Sequence, residues 1–376
     1  MKTRAQASGN LAGLEQAVSA AGLDAIVLAT PENVRYGGDV ALSTQRNIRH
    51  RPAFVVWHAG AEPVFVVAEN EVGRVRRGSW IERTSTYREF GTSPMQALAA
   101  ALGAQARIGC ELDYMPFAQV EQLRALLPGT QVVACDELVR QVRRIKTPRE
   151  IELLTRGAQA TEQAILRTFA GAREGEDERR LMRRLSDELI GGGAERVHSA
   201  HIYGGPNAGG PHMGPTHRRL QRGDLVKADL CGVFDGYVTN VGRTAVVGAA
   251  DPEVAQAFER LHALHHRLVE RLRPGAIGRD LYAEAQRLYR DAGFELRHPN
   301  NGHAVGLEVH ERPQIGPHED LAFEPGMVVT VESRVRLSEV ASLHLEDMVL
   351  VTLQGPTVLT AAWADASPFV IPANDS

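Results

Sequence analysis

The sequence has no run of about 18 apolar residues, the length that a membrane-spanning helix needs. Its first residues, MKTRAQASGNLAG, lack the continuous apolar core of a secretion signal. The formal net charge is only −4 over 376 residues, and acidic and basic residues are mixed along the chain. So mild a charge argues against nucleic acid or an anionic membrane as a partner. We therefore expect a cytoplasmic protein with neither kind of partner.

Cysteine is scarce as well. The three cysteines are widely spaced, odd in number and without a Cys-x-x-Cys pair, at Cys110, Cys135 and Cys231. This pattern argues against a disulfide framework and against a zinc knuckle. We expect all three to be buried thiols.

The composition is that of an ordinary globular protein, with 43% hydrophobic and 23% charged residues. The length favours two domains over one. Near the start, Leu11, Leu14 and Val18 lie on one face of a predicted helix, and the apolar run 25–28 follows as a buried strand. Helical and β-type segments continue to alternate, which predicts an α/β domain over residues 1–142.

A second domain is predicted over residues 143–376. It opens with a long helix, since Pro148 suits the first helical position. Further amphipathic helices follow, and β-type segments lie between and after them, at 225–231, 236–247, 327–332 and 345–352. We expect an α+β domain whose hairpins carry the polar residues. The final segment, 366–376, is expected to be a frayed tail.

The clearest hairpin signal is the dipeptide Asp235-Gly236, a typical two-residue turn between strands. Counting outward from this turn places Cys231 opposite Asn240, with Asp229 two residues further along its strand. Because side chains alternate between the two faces of a strand, Asp229 and Asn240 share one face, roughly 7 Å apart at the backbone. Both side chains are then within reach of one ion.

Carboxylates recur inside other apolar, β-type segments. Glu332 ends the run MVVTVE, and Glu346 and Asp347 lie within LHLEDMVLV. His303 and His310 lie in the intervening NGHAVGLEVHE. A carboxylate in an apolar strand is costly to bury unless it is paired or binds a metal. The pattern therefore indicates a metal centre.

These ordered motifs resemble the pita-bread hydrolases, the family of Xaa-Pro dipeptidase (prolidase), aminopeptidase P, methionine aminopeptidase and the metal-free creatinase. The resemblance covers nearly the whole chain, from AGLDAIVLATPENVRYGGDV through RIKTPREIELL to the acidic strands. It implies an α/β creatinase-like N-terminal domain followed by an α+β pita-bread catalytic domain. It also implies a homodimer.

The resemblance further implies the residues of the site. The family's five metal ligands fall on Asp229, Asn240, His303, Glu332 and Glu346. Its two substrate-contacting histidines fall on His212 and His310, which we expect to donate hydrogen bonds to the oxyanion or the amide. Glu332 or Glu346, whichever is less committed to the metal, is expected to accept the proton of the attacking water.

Three positions depart from the family pattern. Asn240 replaces an aspartate that bridges two ions in the family, and an amide supplies no charge. His344 stands where the family has an arginine, and Ser333-Arg334 replaces Pro-Gly after the strand glutamate. We therefore expect one firmly bound divalent ion, Mn²⁺, Zn²⁺ or Co²⁺, and weaker binding of a second.

Two further expectations concern residues outside the ligand set. Arg243 is expected to orient a carboxylate beside the metal rather than to touch substrate. Three histidines of a predicted helix lie between arginines and leucines and are expected at the surface, namely His262, His265 and His266.

The leading hypothesis is a hydrolase, a metal-dependent peptidase that cleaves the Xaa-Pro bond at the N-terminus of dipeptides or short peptides. One alternative is a metal-free, creatinase-like C–N hydrolase of a small nitrogen-rich compound, which Asn240 favours and the retained acids oppose. The other is a non-catalytic binding protein that has kept the fold. Prolidase and aminopeptidase activity both fit the leading hypothesis.

Overall fold

The structure is a computed structural model that describes residues 3–210 and 213–374, so the predicted catalytic residue His212 lies outside the described residues. The chain divides into two compact units, Met1–Thr147 and Pro148–Ser376, each with its own sheet. Over the described ranges, every helix is too short or too polar to cross a lipid bilayer. Buried free thiols are confirmed at Cys110, Cys135 and Cys231.

The first unit is a sheet with helices on its faces. Its strands are β1 (Ala25–Leu28), β2 (Phe54–His58), β3 (Val64–Ala68), β4 (Arg83–Tyr87), β5 (Arg107–Cys110) and β6 (Gln131–Ala134). Its α-helices are α1 (Leu11–Ala20), α2 (Pro31–Gly38), α3 (Ser43–Asn47), α4 (Val72–Gly78), α5 (Pro94–Leu102), α6 (Phe117–Leu126) and α7 (Asp136–Arg144). The strand order is β4-β3-β2-β1-β5-β6, with β1 antiparallel to β2 and parallel to β5.

Both faces of this sheet are buried. Ile26 packs in one core with Leu14 of α1, whereas its neighbour Val27 packs in another core with Leu98 of α5. A strand covered on both faces needs apolar residues at consecutive positions, which explains the run 25–28. The predicted α/β class of this unit is confirmed.

The second unit is α+β, as predicted. Its α-helices are α8 (Pro148–Gly171), α9 (Glu178–Gly191), α10 (Pro252–Arg271) and α11 (Gly278–Asp291). Its strands are β7 (Arg196–Gly204), β8 (Leu225–Phe234), β9 (Tyr237–Val238), β10 (Val241–Val247), β11 (Gly302–Ala304), β12 (Glu311–Gln314), β13 (Val328–Ser338), β14 (Ala341–Thr352), β15 (Gly355–Val358) and β16 (Phe369–Ile371). The strand order is β12-β11-β13-β14-β10-β8-β7, and β9, β15 and β16 pair with β8, β14 and β10.

Two hairpins carry the acidic residues of this sheet. The first joins β8 to β9 through the predicted Asp235-Gly236 turn, where both residues have positive φ as a tight hairpin turn requires. The second joins β13 to β14 and pairs Glu332 directly with Glu346. Since β10 pairs with both β8 and β14, the two hairpins lie side by side.

The sheet separates the helices from the acidic residues. Arg243 of β10 and Asp347 of β14 bond to Glu162 of α8 and His265 of α10, so their side chains lie on the helix-covered face. Because successive side chains of a strand point to opposite faces, Glu346 points away from the helices. The candidate site therefore lies on the face opposite α8 and α10.

Two expectations about this unit are wrong. The final segment is not simply frayed, since β16 pairs in parallel with β10. His265 is not at the surface: it is only 1% exposed, and its ring contacts Ser333 and Asp347. Both errors come from partners that are distant in the sequence.

The second hairpin is also longer than predicted. Strand β13 continues past Glu332 to Ser338, and β14 begins at Ala341. The added length gives Arg334 and His344 directly paired positions in the ladder. The hydrophobic pattern does not predict this extension, because several residues after Glu332 are polar and the strand continues beyond the apolar core.

Candidate metal centre

Three carboxylates lie in one row across the sheet of the second unit. Asp229 of β8 pairs with Gly242 of β10, Gly242 with Glu346 of β14, and Glu346 with Glu332 of β13. Directly paired residues point to the same face, so these acids converge. One ligand atom from each acid and one from His344 all lie within 4.8 Å of one another. We call Asp229, Glu332 and Glu346 the acid row.

Glu346 is the most deeply buried member of the acid row. It is 0% exposed, and neither carboxylate oxygen accepts a hydrogen bond from any described residue. His344 Nε2 lies 3.7 Å from Glu346 Oε2. Burial, together with the charges of Glu332 and Asp229, raises the pKa of Glu346 well above its usual range. A buried carboxylate without partners is unfavourable, so this side chain fits a bound cation.

A second row of side chains lies one pleat away, about 7 Å along the strands, and it is basic. Arg334 of β13 pairs with His344 of β14, whose backbone bonds to the hydroxyl of Thr244. Thr244 pairs in turn with Lys227 of β8. Arg334 forms an ion pair with Glu332, and His344 Nε2 lies 3.0 Å from Glu332 Oε1. We call Lys227, His344 and Arg334 the basic row.

The basic row changes the electrostatics of the acids. Burial opposes ionisation of Glu332, but the hydrogen bond with His344 and the charge of Arg334 outweigh it, and the pKa of Glu332 is lowered. Burial lowers the pKa of Lys227 to about 8, and Lys227 Nζ donates to Ser342 Oγ at 2.9 Å. Burial also lowers the pKa of His344, although Glu332 opposes that effect. Glu332 therefore remains ionised more readily than Glu346.

Gly242 makes room for the His344 ring. A Cβ at Gly242 would lie 2.4 Å from the Cε1 atom of His344, so the imidazole lies directly over the backbone of β10. The ring thereby sits between Asp229 and Glu346, the strand neighbours of Gly242. In the sequence, His344 stands out only as the residue at the position of a family arginine. Its spacing of two residues from Glu346, which places both on one face, was the signal for a ligand role.

Two of the predicted ligands have other partners. His303 Nδ1 lies 3.1 Å from the carbonyl oxygen of Ala304, and its Nε2 lies 3.2 Å from Thr330 Oγ1. The group of close ligand atoms does not include His303. Cys231 Sγ donates to Asn240 Oδ1 at 3.0 Å, which agrees with the predicted hairpin register. Metal coordination by His303 and Asn240 stays a prediction.

Of the two predicted catalytic histidines, His310 lies beside His303. His310 is exposed, and its ring centroid lies 4.0 Å from that of His303, with the planes tilted by 44°. His303 itself is buried, and burial lowers its pKa to about 4. His212 belongs to the chain segment between Gly204 and Thr216, outside the described residues. The roles of both predicted catalytic histidines stay predictions.

Glu178 of α9 holds both ends of the segment that carries His212. Its carboxylate accepts hydrogen bonds from the backbone N–H of Gly204 at 3.0 Å and of Thr216 at 2.7 Å. It also accepts from the Asn207 amide and the Thr216 hydroxyl. Burial opposes ionisation of Glu178, but these hydrogen bonds outweigh it and lower its pKa. Glu178 is not among the site residues predicted from the sequence.

Beneath the acid row, Arg243 holds the carboxylate of Asp347 on the helix-covered face. Its guanidinium donates to Asp347 Oδ1 and to the backbone carbonyl of Glu346, both at 2.7 Å, and also bonds to Glu162. His265 Nε2 lies 2.9 Å from Asp347 Oδ2. The backbone of Glu346 is therefore fixed from the helix-covered face, while its side chain is left facing the site.

Two family models together match most of the chain. The model of the creatinase/prolidase N-terminal domain matches residues 11–145, and the model of metallopeptidase family M24 matches residues 152–353. The chain belongs to metallopeptidase family M24. The predicted family, fold and enzyme class are thereby confirmed.

Several known proteins match this M24 metallopeptidase over most of its length. A Xaa-Pro dipeptidase of Pyrococcus horikoshii is 27% identical over 71% of this chain and 76% of its own length. The dipeptidase PepE of Mycobacterium ulcerans has a crystal structure that superposes with a TM-score of 0.83 at 27% identity, covering 96% of this chain and 97% of that one. The Pyrococcus horikoshii prolidase, at 23% identity and a TM-score of 0.83, shares the fold over 94% of this chain and 98% of that one.

The donor set of this M24 metallopeptidase fits one divalent ion. Three carboxylates and one imidazole are ligand types that Mn²⁺, Co²⁺ and Zn²⁺ accept. Glu346 offers two oxygens without hydrogen-bond partners among the described residues, and the four side chains already lie close together. The site thus satisfies the requirement of the family for a divalent metal.

Proposed function

We propose that this M24 metallopeptidase cleaves the bond before proline at the N-terminus of dipeptides or short peptides, using one divalent ion, Mn²⁺, Zn²⁺ or Co²⁺. The observation that carries the proposal is the convergence of the acid row with His344 on the face of the sheet opposite α8 and α10. We propose Asp229, Glu332, Glu346 and His344 as ligands, and Asn240 and His303 remain proposed ligands as well.

The reaction needs an activated water and a stabilised oxyanion. A bound divalent ion would supply the first by making water nucleophilic at neutral pH, and would polarise the scissile carbonyl. Glu332, kept ionised by its basic neighbours, accepts the proton of the attacking water and returns it to the leaving amine. His310 and His212 donate hydrogen bonds to the developing oxyanion or to the amide.

The substrate class is supported by the names of similar proteins. The Pyrococcus horikoshii relative is a Xaa-Pro dipeptidase, and the Mycobacterium ulcerans structure is that of a dipeptidase. We further propose that the enzyme acts in the cytoplasm as a homodimer, with no nucleic-acid or membrane partner. Light scattering should then give twice the chain mass of 40.9 kDa.

The deciding experiment measures hydrolysis of Xaa-Pro dipeptides before and after chelation. Activity should vanish with the chelator and return with Mn²⁺, Zn²⁺ or Co²⁺, and Xaa-Ala dipeptides of the same first residue should be poorer substrates. Glu346→Gln should abolish the activity, whereas Glu339→Gln, which changes a side chain that is 90% exposed in the same hairpin, should not.

Two results would favour other functions. Chelator-resistant hydrolysis of creatine-like compounds would support a metal-free C–N hydrolase. Inactivity toward both substrate classes, together with stoichiometric binding of another protein, would support a non-catalytic role.

A further inference from the structure

Arg334 places a permanent positive charge within the acid row. Its guanidinium forms an ion pair with Glu332, and its side chain is only 19% exposed. One carboxylate oxygen of Glu332 lies within 4.8 Å of one from Asp229 and one from Glu346. The guanidinium therefore lies against a cluster of three acids and not beside a single carboxylate.

The ladder explains why Arg334 reaches the acids. It lies two residues after Glu332 on β13, so both side chains point to the same face. Its direct partner across the ladder is His344, which itself leans over β10 toward Asp229 and Glu346. Arg334 therefore lies beside two proposed ligands, Glu332 on its own strand and His344 on the next. The guanidinium of an arginine is not deprotonated in proteins, so this positive charge is permanent.

The charges of the site balance with one ion. Asp229, Glu332 and Glu346 carry three negative charges, and Arg334, which forms the ion pair with this row, contributes one positive charge, so a single divalent ion neutralises these four side chains. Lys227 in the neighbouring row is a further cation, so a second divalent ion would leave at least two uncompensated positive charges in a largely buried site, which is strongly unfavourable. Asn240 adds no charge, and its oxygen already accepts from the Cys231 thiol.

We propose that Arg334 takes the place of a second cation and so fixes the centre at one divalent ion per chain. The inference rests on the proposed function only in that a divalent ion binds the acid row; it does not depend on the substrate. Arg334 is then a positioning residue for Glu332. The amide at Asn240 is the complementary change, since it removes the charge that a second ion would require.

The test is the number of ions bound per chain, measured by elemental analysis and by calorimetric titration of Mn²⁺ into the metal-free protein. The wild type should bind one ion. The double variant combines Asn240→Asp with Arg334→Met. It has four carboxylates in the site and lacks the guanidinium, so two ions should bind. Each single variant should bind the second ion at least tenfold more weakly than the double variant does.

Two controls isolate the charge of Arg334. Arg336→Met removes an arginine two residues further along β13 that pairs with Glu339 and is 39% exposed, and it should leave one ion bound. Arg334→Lys keeps a cation and should also leave one. If Arg334→Met does not fold, Arg334→Gln, which retains a polar side chain, replaces it in the same titration.

Several outcomes would overturn the inference: two ions bound to the wild type with similar affinity, one ion still bound to the folded double variant, or none bound to the wild type. The last would also remove the metal from the proposed function. One bound ion without peptidase activity would refute the proposed substrate and leave the role of Arg334 intact.

Discussion

Gly242 is the residue whose missing side chain lets His344 lie over the sheet between Asp229 and Glu346. Gly242→Ala should push the imidazole away, because the new Cβ would lie 2.4 Å from the ring and the backbone of β10 is fixed on both sides. We expect Mn²⁺ affinity to fall about 10- to 100-fold, the range found when a ligand loses its orientation. Titration of Mn²⁺ into the metal-free variant measures it.

The control for this change is Gly191→Ala. Gly191 ends α9, and a Cβ there would meet no atom within 4 Å. Alanine should be neutral or slightly stabilising at that position. Equal Mn²⁺ affinities in Gly242→Ala and Gly191→Ala would show that His344 does not contribute to the centre.

At the residue scale, the acids could be predicted, whereas the contacts of their basic neighbours could not. Glu332 and Glu346 stand out because carboxylates are costly inside apolar strands. Arg334 carries no such signal, since a basic residue beyond an apolar run is ordinarily solvated. The spacing of His344 places it on the face of Glu346, but it does not show the contact with Glu332. Only the pairing of β13 with β14, which depends on where the hairpin turns, places them against the acids.

At the scale of elements, α9 holds the segment that carries His212 through a single carboxylate. Glu178→Gln should weaken the hydrogen bonds from Gly204 and Thr216, because charge-assisted bonds are about twice as strong as neutral ones. We expect faster amide hydrogen exchange at both positions and a lower kcat/KM. Exchange is followed by NMR or mass spectrometry.

Asp187→Asn is the matched control for Glu178→Gln. It neutralises an exposed carboxylate on the same helix and should change neither exchange nor activity. Unchanged exchange at Gly204 and Thr216 in Glu178→Gln would mean that the segment is held by other contacts.

The hydrogen-bonded carboxylate beneath the site gives a pH-dependent prediction. Burial opposes ionisation of Asp347, but Arg243 and hydrogen bonds from His265 and Thr360 outweigh it, so the pKa of Asp347 is lowered. A carboxylate whose pKa is lowered by folding stabilises the folded state above its unfolded pKa of about 3.9, and this contribution is lost as the pH falls. Asp347→Asn should cost about 3 kcal/mol at pH 7.

The difference in unfolding free energy between wild type and Asp347→Asn should therefore shrink by about 1 kcal/mol as the pH falls from 5 toward 3. Urea unfolding of both metal-free proteins across this range measures it. Asp291→Asn, at an exposed position of α11, should show no such trend. A constant difference down to pH 3 would show that the charge of Asp347 is not the source of its contribution.

The elements themselves were predictable where the signal is local. The Asp235-Gly236 turn and the start of α8 at Pro148 follow from backbone preferences of a few residues. The strand β16 has no comparable signal, because its partner β10 lies more than a hundred residues earlier in the chain. His265 was misplaced for the same reason, since its buried partner Asp347 is on β14.

At the scale of the whole molecule, the proposed ligands all lie in Pro148–Ser376 and none in Met1–Thr147. The two units also differ in the polarity of their strands. The strands of the first unit are apolar and few polar residues are buried there, whereas the sheet of the second unit has an acidic face. A bound ion should therefore stabilise the two units unequally.

The corresponding prediction concerns where a metal protects the chain. Mn²⁺ at about 100 times its dissociation constant should stabilise the folded state by about 2.7 kcal/mol, since it binds only the folded site. In hydrogen exchange followed by mass spectrometry, peptides from β8, β10, β13 and β14 should become more protected, whereas peptides from Met1–Thr147 should exchange as before. Glu346→Gln should abolish the effect. Protection spread evenly over both units, or protection retained in Glu346→Gln, would place the ion elsewhere than on the acid row.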